Sequence, residues 1–273
     1  MTSIAFSFRR TWSIAANTLR EAIRQRLVHF LVLLGLGFLL GAQYFRDLHF
    51  GSPELKFIAD LGFGAIALFG SVLAVVTTAQ LFLGELERQT VLTLLAKPVC
   101  RAEFVLGKFA GVALITGGFC MGLTLVLAAV LWTRESTLIR ELPEVFDRGR
   151  VVDYRHVAVA GVLQWFKLLV LSALTLLVAS YARTQLFAMA TGFLVGVACH
   201  LQHFAQAAIV RAGAPVPALL VRLLPNFQVF EFGESLGSGA WATGRVAGIA
   251  TYAFAHVAAA CGLAVLCFQR REL

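Results

Sequence analysis

The sequence predicts an all-α polytopic membrane protein with six transmembrane helices, and three observations predict it. First, 59% of the 273 residues are hydrophobic and only 14% are charged, against roughly 45–50% and 25% in ordinary soluble domains. Second, the apolar residues gather in long runs, and about 20 apolar residues in a helix cross a bilayer. Third, basic residues flank those runs and give a net charge of +8, as expected where Lys and Arg collect in cytoplasmic segments. Together these exclude a disordered chain, a coiled coil and a typical cytosolic enzyme. A soluble core of this size could not absorb so much apolar surface, 23 phenylalanines included. The basic pI of about 9.7 therefore reads as membrane topology and not as nucleic-acid binding.

Residues 1–26 read as an amphipathic helix. Trp12, Ala15, Leu19, Ala22 and Ile23 recur at helical spacing, and Arg10, Ser13, Asn17, Arg20 and Arg24 recur on the opposite side. Such a helix lies in the membrane interface. The apolar runs follow at 27–45, 61–84, 109–133, 157–182, 186–205 and 246–268. The first is read as a retained span, because more than twenty residues precede it and Ala42-Gln43-Tyr44 is a poor cleavage site. Six spans place both termini on one side. With that side cytoplasmic, the short segments and tails hold Arg9, Arg10, Arg20, Arg24, Arg26, Arg88, Lys97, Arg101, Lys108, Arg183, Arg270 and Arg271, while ten other basic residues spread over the longer external loops. The polar stretch 133–156 reads as an external loop. The stretch 206–245 contains Pro215, Pro217 and Pro225 between apolar pieces too short to span, which suggests short re-entrant or interfacial external helices.

Ionisable residues at membrane depth are functional candidates, and Lys167 interrupts the fourth run. If the span begins at Val157, Lys167 is near the midplane. If it begins at Trp165, Lys167 snorkels to the headgroups, and the neighbouring Trp165 suits an interfacial belt, which favours snorkelling. His200 and His203 are three apart and share a helix face. Without a third ligand they read as interface or hydrogen-bonded histidines and not as a metal site. His256 reads as a helix–helix hydrogen bond. Glu231 and Glu234 form a second pair three apart, either a solvated face or a place for acid–base work or a cation. Lys167, His200, His203, Glu231 and Glu234 are thus the candidates for a translocation path. No nucleophile elbow or HExxH is present, so no catalytic residue is assigned. Cys100, Cys120, Cys199, Cys261 and Cys267 lie in or beside apolar runs and show no zinc spacing or disulfide framework. Pairs of glycines four apart, such as Gly107/Gly111 and Gly192/Gly196, permit close helix packing without specifying a dimer face.

Residues 85–97 carry Glu85, Glu87, Arg88 and Gln89 at one end and Val91, Leu92, Leu94 and Leu95 at the other, and they stop at Pro98. Such a helix either offers its charged head to a soluble partner or is a plain surface helix. Glu85, Glu87 and Thr90, then Leu94, Leu95, Pro98, Val99 and Arg101, then Gly107 and Lys108 resemble the signature of type-2 ABC-transporter permeases, E-x-E-x-x-T leading to L-L-x-x-P-V-x-R and G-K. The resemblance covers the whole chain in layout and is nearest to the branch of multi-copper enzyme and nitrous-oxide reductase maturation permeases. It implies a single transmembrane permease domain over 1–273, with 85–97 as a cytoplasmic coupling helix. Glu85, Glu87, Arg88, Gln89 and Thr90 would contact a separate ABC ATPase subunit.

The resemblance further implies two ATPase copies, a second permease copy in a homodimer, and an exporter in the inner membrane with both termini cytoplasmic. It leaves room for a periplasmic accessory protein. ATP and Mg would reside in the partner, and no cofactor is expected in this chain. The sequence agrees, since Gly107-Lys108-Phe109 lacks the hydroxyl and the upstream glycine of a phosphate-binding loop. The chain is accordingly read as a transporter subunit and not an enzyme. From the residues alone two other readings stand. One is a stand-alone secondary transporter or channel using Lys167 and the histidines as an ion relay. Against it, no two halves look like inverted repeats with broken helices. The other is an assembly scaffold.

Overall fold

The computed structural model describes residues 6–42, 52–87, 100–141, 143, 150–211, 224–231 and 243–271. Among these residues the protein is all helix: α1 (Phe8–Ile23), α2 (Arg26–Gly41), α3 (Ser52–Glu87), α4 (Arg101–Glu141), α5 (Tyr154–Tyr181), α6 (Gln185–Arg211) and α7 (Thr243–Gln269), with one 3-10 turn at Phe227–Phe230. Five helices, α3 to α7, are long and apolar enough to cross a membrane. The bent pair α1 and α2 would make a sixth crossing, with 65° between them. At 1.5 Å per residue, α2 alone spans roughly 24 Å of its 16 residues, a little less than the hydrocarbon core.

Alternation along the chain gives the bundle two ends. One, named the coupling end only because the segment expected to couple follows α3 there, gathers α1, the end of α3, the starts of α4 and α6 and the end of α7. The other, the far end, gathers the start of α3, the end of α4, the start of α5 and the 3-10 turn. α5 is the central helix, packed by α3, α4, α6 and α7. Its sequence explains this position, since apolar residues surround it on all sides with no polar stripe, as in a fully buried helix.

α1 lies against α4. It buries small residues, Ala15, Thr18 and Ala22, and leaves Phe8, Trp12 and Ile23 exposed. The close approach explains Gly107 and Gly111 of α4. A Cβ at Gly107 would stand 2.7 Å from the Ile14 side chain, and one at Gly111 would stand 2.5 Å from that of Thr18. This glycine pair is therefore an internal contact. So is Gly192, where an added Cβ would meet Thr175 of α5 and Val75 of α3 at 3.0 Å.

One expectation is corrected here. The stretch 133–156 is not simply a loop, because α4 continues to Glu141. No helix breaker occurs before Pro143, and the extension is anchored. Arg134 pairs with Glu54 of α3, and Glu135 is buried. The Glu135 carboxylate accepts from the Val151 and Val152 N–H groups at 2.7 and 2.9 Å and from the Tyr154 hydroxyl at 2.7 Å. Arg150 closes the far end over the Trp132 ring. Of the stretch 206–245, the two margins belong to α6 and α7, and 224–231 holds only the 3-10 turn. The rest of the expected external helices lies outside the described residues. The turn is pinned by buried Phe227 and Phe230 and by the Asn226 N–H donating to the Tyr252 hydroxyl at 2.8 Å.

Candidate functional site

Lys167 lies midway along α5 with only 1% of its surface exposed. Its Nζ is 3.0 Å from His200 Nε2 of α6 and donates to Glu231 Oε1 at 3.2 Å. His200 Nε2 and Glu231 Oε1 are 3.6 Å apart, so three elements meet at one ammonium group. The snorkelling expectation is thereby corrected. A buried charge needs a counter-charge and hydrogen bonds within reach, and Glu231 comes in from the segment after the 3-10 turn to supply one. The Phe227 ring also faces the Nζ at 5.8 Å. Trp165 is half-buried against α4. Its Nε1 donates to the Ala113 carbonyl of α4 at 3.0 Å, and its ring packs beside Gly117.

The trio forms the polar end of a groove of about 520 Å³ between α3 and α6. Gly64, Leu68, Ser71 and Val75 line one wall, Gly192, Gly196, Val197 and Leu201 the other, with Leu171 and Phe227 beside Lys167. Leu68, Val197 and Leu201 are large apolar residues left exposed. In a spanning bundle such residues face lipid or another helix. The groove is thus apolar along its walls, open at its rim and charged at one place. Glu231 has 49% of its side chain exposed while Lys167 is enclosed. The carboxylate is the member of the pair that solvent reaches.

The other predicted residues fall elsewhere. His203 is exposed, touches the Phe204 ring and does not join Lys167. His256 does not bridge helices. Its Nδ1 meets the Tyr252 carbonyl of its own helix at 2.9 Å and its ring lies tilted against that of Tyr252, 4.3 Å between centroids. Glu234, Arg88, Gln89 and Thr90 lie outside the described residues, as does most of 85–97. Glu85 and Glu87 stand in the last turn of α3.

Both of these carboxylates are engaged within the chain. Lys108 of α4 donates to Glu85 at 2.6 Å and lies 3.6 Å from Glu21 of α1. The Glu87 oxygens accept from the Gln185 N–H at 3.1 Å and from the Gln185 side chain at 2.7 Å. Gln185 opens α6, so a carboxylate from α3 caps the N-terminus of α6, where free N–H groups and the helix dipole favour negative charge. Sequence reasoning missed this cap because the partners are 98 residues apart.

It also missed Glu103, which is fully buried and accepts from Arg10 and from the Ser7 and Cys100 N–H groups. Arg101 donates to the carbonyls of Phe268, Gln269 and Arg271 at 2.7–3.2 Å, satisfying the C-terminus of α7. Arg271 reaches the Ala179 and Ser180 carbonyls at the end of α5. Burial, and then the nearby Arg183, lower the pKa of the Arg271 guanidinium. The residues that flank 88–99 thus tie α1, α4, α6 and α7 together at the coupling end.

Comparison with known proteins bears on this arrangement. No curated protein matches the chain. A family model described as ABC-2 family transporter protein matches residues 12–271, nearly the whole chain. The match takes in most of α1, all the long helices and the site around Lys167, and the chain belongs to this ABC-2 family of membrane transporter proteins.

Proposed function

We propose that this chain is the permease subunit of a type-2 ABC exporter of the inner membrane. Two copies form a homodimer, both termini are cytoplasmic, and two copies of a separate ATPase bind the coupling end. ATP and Mg belong to those partners. Residues 85–97 couple the two, with Arg88, Gln89 and Thr90 contacting the ATPase beside the engaged Glu85 and Glu87. Substrate moves along the groove at Lys167, His200 and Glu231.

The observation that carries the reading is the cap of Glu87 on Gln185. It joins the end of α3, which leads into the coupling segment, to α6, which brings His200 to Lys167. A displacement of the coupling segment would pull on α6 through that cap. α6 forms one wall of the groove, so its movement would change the groove and the grip of Glu231 on Lys167. Interfaces and packed cores switch between discrete arrangements, which lets a small shift at one end act at the other. The buried ammonium would then be exposed to substrate in one arrangement and neutralised by Glu231 in the other.

The test is purification of the tagged chain from its native membrane in mild detergent. A P-loop ATPase is expected to co-purify, and ATP hydrolysis by the complex should fall when Lys167 is changed to Gln. An isolated, ATPase-free chain that still carries solute or ions across vesicles would overturn the proposal in favour of a stand-alone transporter.

A further inference from the structure

The elbow between α1 and α2 holds a second cavity, of about 870 Å³, at the coupling end. It is separate from the groove at Lys167 and does not depend on the proposed transport route. Arg20, Arg24 and Arg26 line it. All three are exposed, and none makes an ion pair among the described residues. The two carboxylates that also line it, Glu21 and Glu85, both face Lys108 of α4. One ammonium offsets one of these two negative charges, so the three guanidinium groups face a single remaining carboxylate charge and stand in excess. The cavity also borders the first residues of α2. That helix starts with no side-chain cap on Gln25 and no acidic residue in its first turn. Its free N–H groups and the positive end of its dipole add to the same potential. Asn17 and Gln80 add neutral amide groups to the lining.

Such a site suits a phosphodiester, which guanidinium groups bind through paired N–H donors. What lies next to it decides the source. Arg26, Phe30 and Leu33 are spaced i, i+4 and i+7 and share one face of α2. Phe30 and Leu33 are exposed, as are Phe8 and Trp12 on α1. The basic cavity is therefore continuous with an apolar stripe that runs into the membrane. A soluble phosphate would use only the first, whereas a phospholipid would use both. We propose that the elbow cavity binds the headgroup of an anionic phospholipid, with its acyl chains along Phe30 and Leu33. Bound there, the lipid would brace the 65° bend against the end of α3.

The experiment compares three proteins in nanodiscs of phosphatidylcholine with and without phosphatidylglycerol. They are the wild type, R20Q/R24Q/R26Q, and R140Q/R155Q/R270Q, which removes the same charge from exposed positions elsewhere. The readouts are the thermal midpoint and the phosphatidylglycerol retained after detergent washing, measured by mass spectrometry. Phosphatidylglycerol should raise the midpoint of the wild type and of the control variant. The elbow variant should lose that rise, with retention at least about tenfold lower, since each basic group near an anionic surface contributes about fivefold. Equal retention by the elbow and control variants would overturn the site. A midpoint rise of the same size from inorganic phosphate in pure phosphatidylcholine discs would overturn the lipid as its occupant. If the triple variant fails to insert, R24Q alone carries the comparison, with a fall of about fivefold expected.

Discussion

Two buried ion pairs divide the labour of this molecule. At the far end, Arg134 and Glu54 meet with side chains only 9% and 7% exposed, and the exposed Glu141 stands 3.9 Å from Arg134. In the middle, Lys167 is as deeply enclosed, but its partner Glu231 is half-exposed and stands on the rim of a groove. The chemistry is the same and the surroundings differ. The far-end pair joins two long helices, α3 and α4. The central pair joins a rigid helix to a short turn held by two phenylalanines. A closed pair fixes a structure, because separating it would leave charge in a low dielectric. A pair with one exposed member can open, because water or a ligand can take the place of the departing carboxylate.

The comparison is broken most severely at the closed pair. Arg134→Ala leaves Glu54 buried without its partner and should destabilise the protein by about 3–5 kcal/mol. The expected outcome is loss of folded protein from the membrane, read by thermal denaturation in detergent and by accumulation. Arg134→Met combined with Glu54→Leu should recover most of that stability, because an apolar pair of similar volume replaces both charges. If the double variant is as unstable as the single, the pair does more than hold the two helices together.

The open pair should respond in the opposite order. Lys167→Met removes the enclosed charge and leaves Glu231 half in solvent, so the stability loss should stay near 1 kcal/mol, the range of partly exposed pairs. Substrate-dependent ATP hydrolysis or transport should nevertheless fall at least about tenfold, corresponding to a loss of about 1.4 kcal/mol of productive interaction. Glu231→Gln should cost more stability than Lys167→Met, because it leaves the enclosed ammonium without its counter-charge, and should be comparable in transport. Combining the two should restore stability without restoring transport. If activity returns with stability, Lys167 is a structural residue and the two pairs are alike.

The contrast also explains what could be seen in the sequence. The long apolar runs were legible because burial in lipid demands an unbroken stretch of about 20 residues. Helix ends were not. α4 extends past its apolar run because Arg134 and Glu135 are satisfied by Glu54, Val151, Val152 and Tyr154, and no local pattern records those partners. Lys167 was legible as an anomaly, and His200 as one member of a spaced pair. That His200 joins the lysine and His203 does not depends on which face of α6 meets α5, which the spacing shared by both residues could not reveal. Glu231 was found as half of a carboxylate pair, yet its role follows from a contact 64 residues away. Glycines 107 and 111 were visible as a packing motif, but only the structure shows that α1 is what packs on them.

The smallest expected effect on stability lies at the coupling end and sharpens the comparison furthest. Glu87 is exposed and caps α6 through Gln185. Loss of a helix cap costs about 1 kcal/mol, so Glu87→Gln should barely alter folding. Its effect on coupling distinguishes two roles. If Glu87 acts as a strut between α3 and α6, Gln185→Ala should reproduce the defect, and the double variant should be no worse than either single. ATPase capture would then survive in all three while hydrolysis no longer responds to substrate. If Glu87 instead touches the ATPase directly, Glu87→Arg should reduce capture by tenfold or more, because like charges brought together at an interface cost several kcal/mol. Gln185→Ala would leave capture and coupling near normal. A pull-down together with substrate-dependent hydrolysis, measured on the same four proteins, separates these outcomes. An unchanged result in both assays for every variant would remove the cap from the coupling route, and with it the link by which movement at the end of α3 reaches His200 and Lys167.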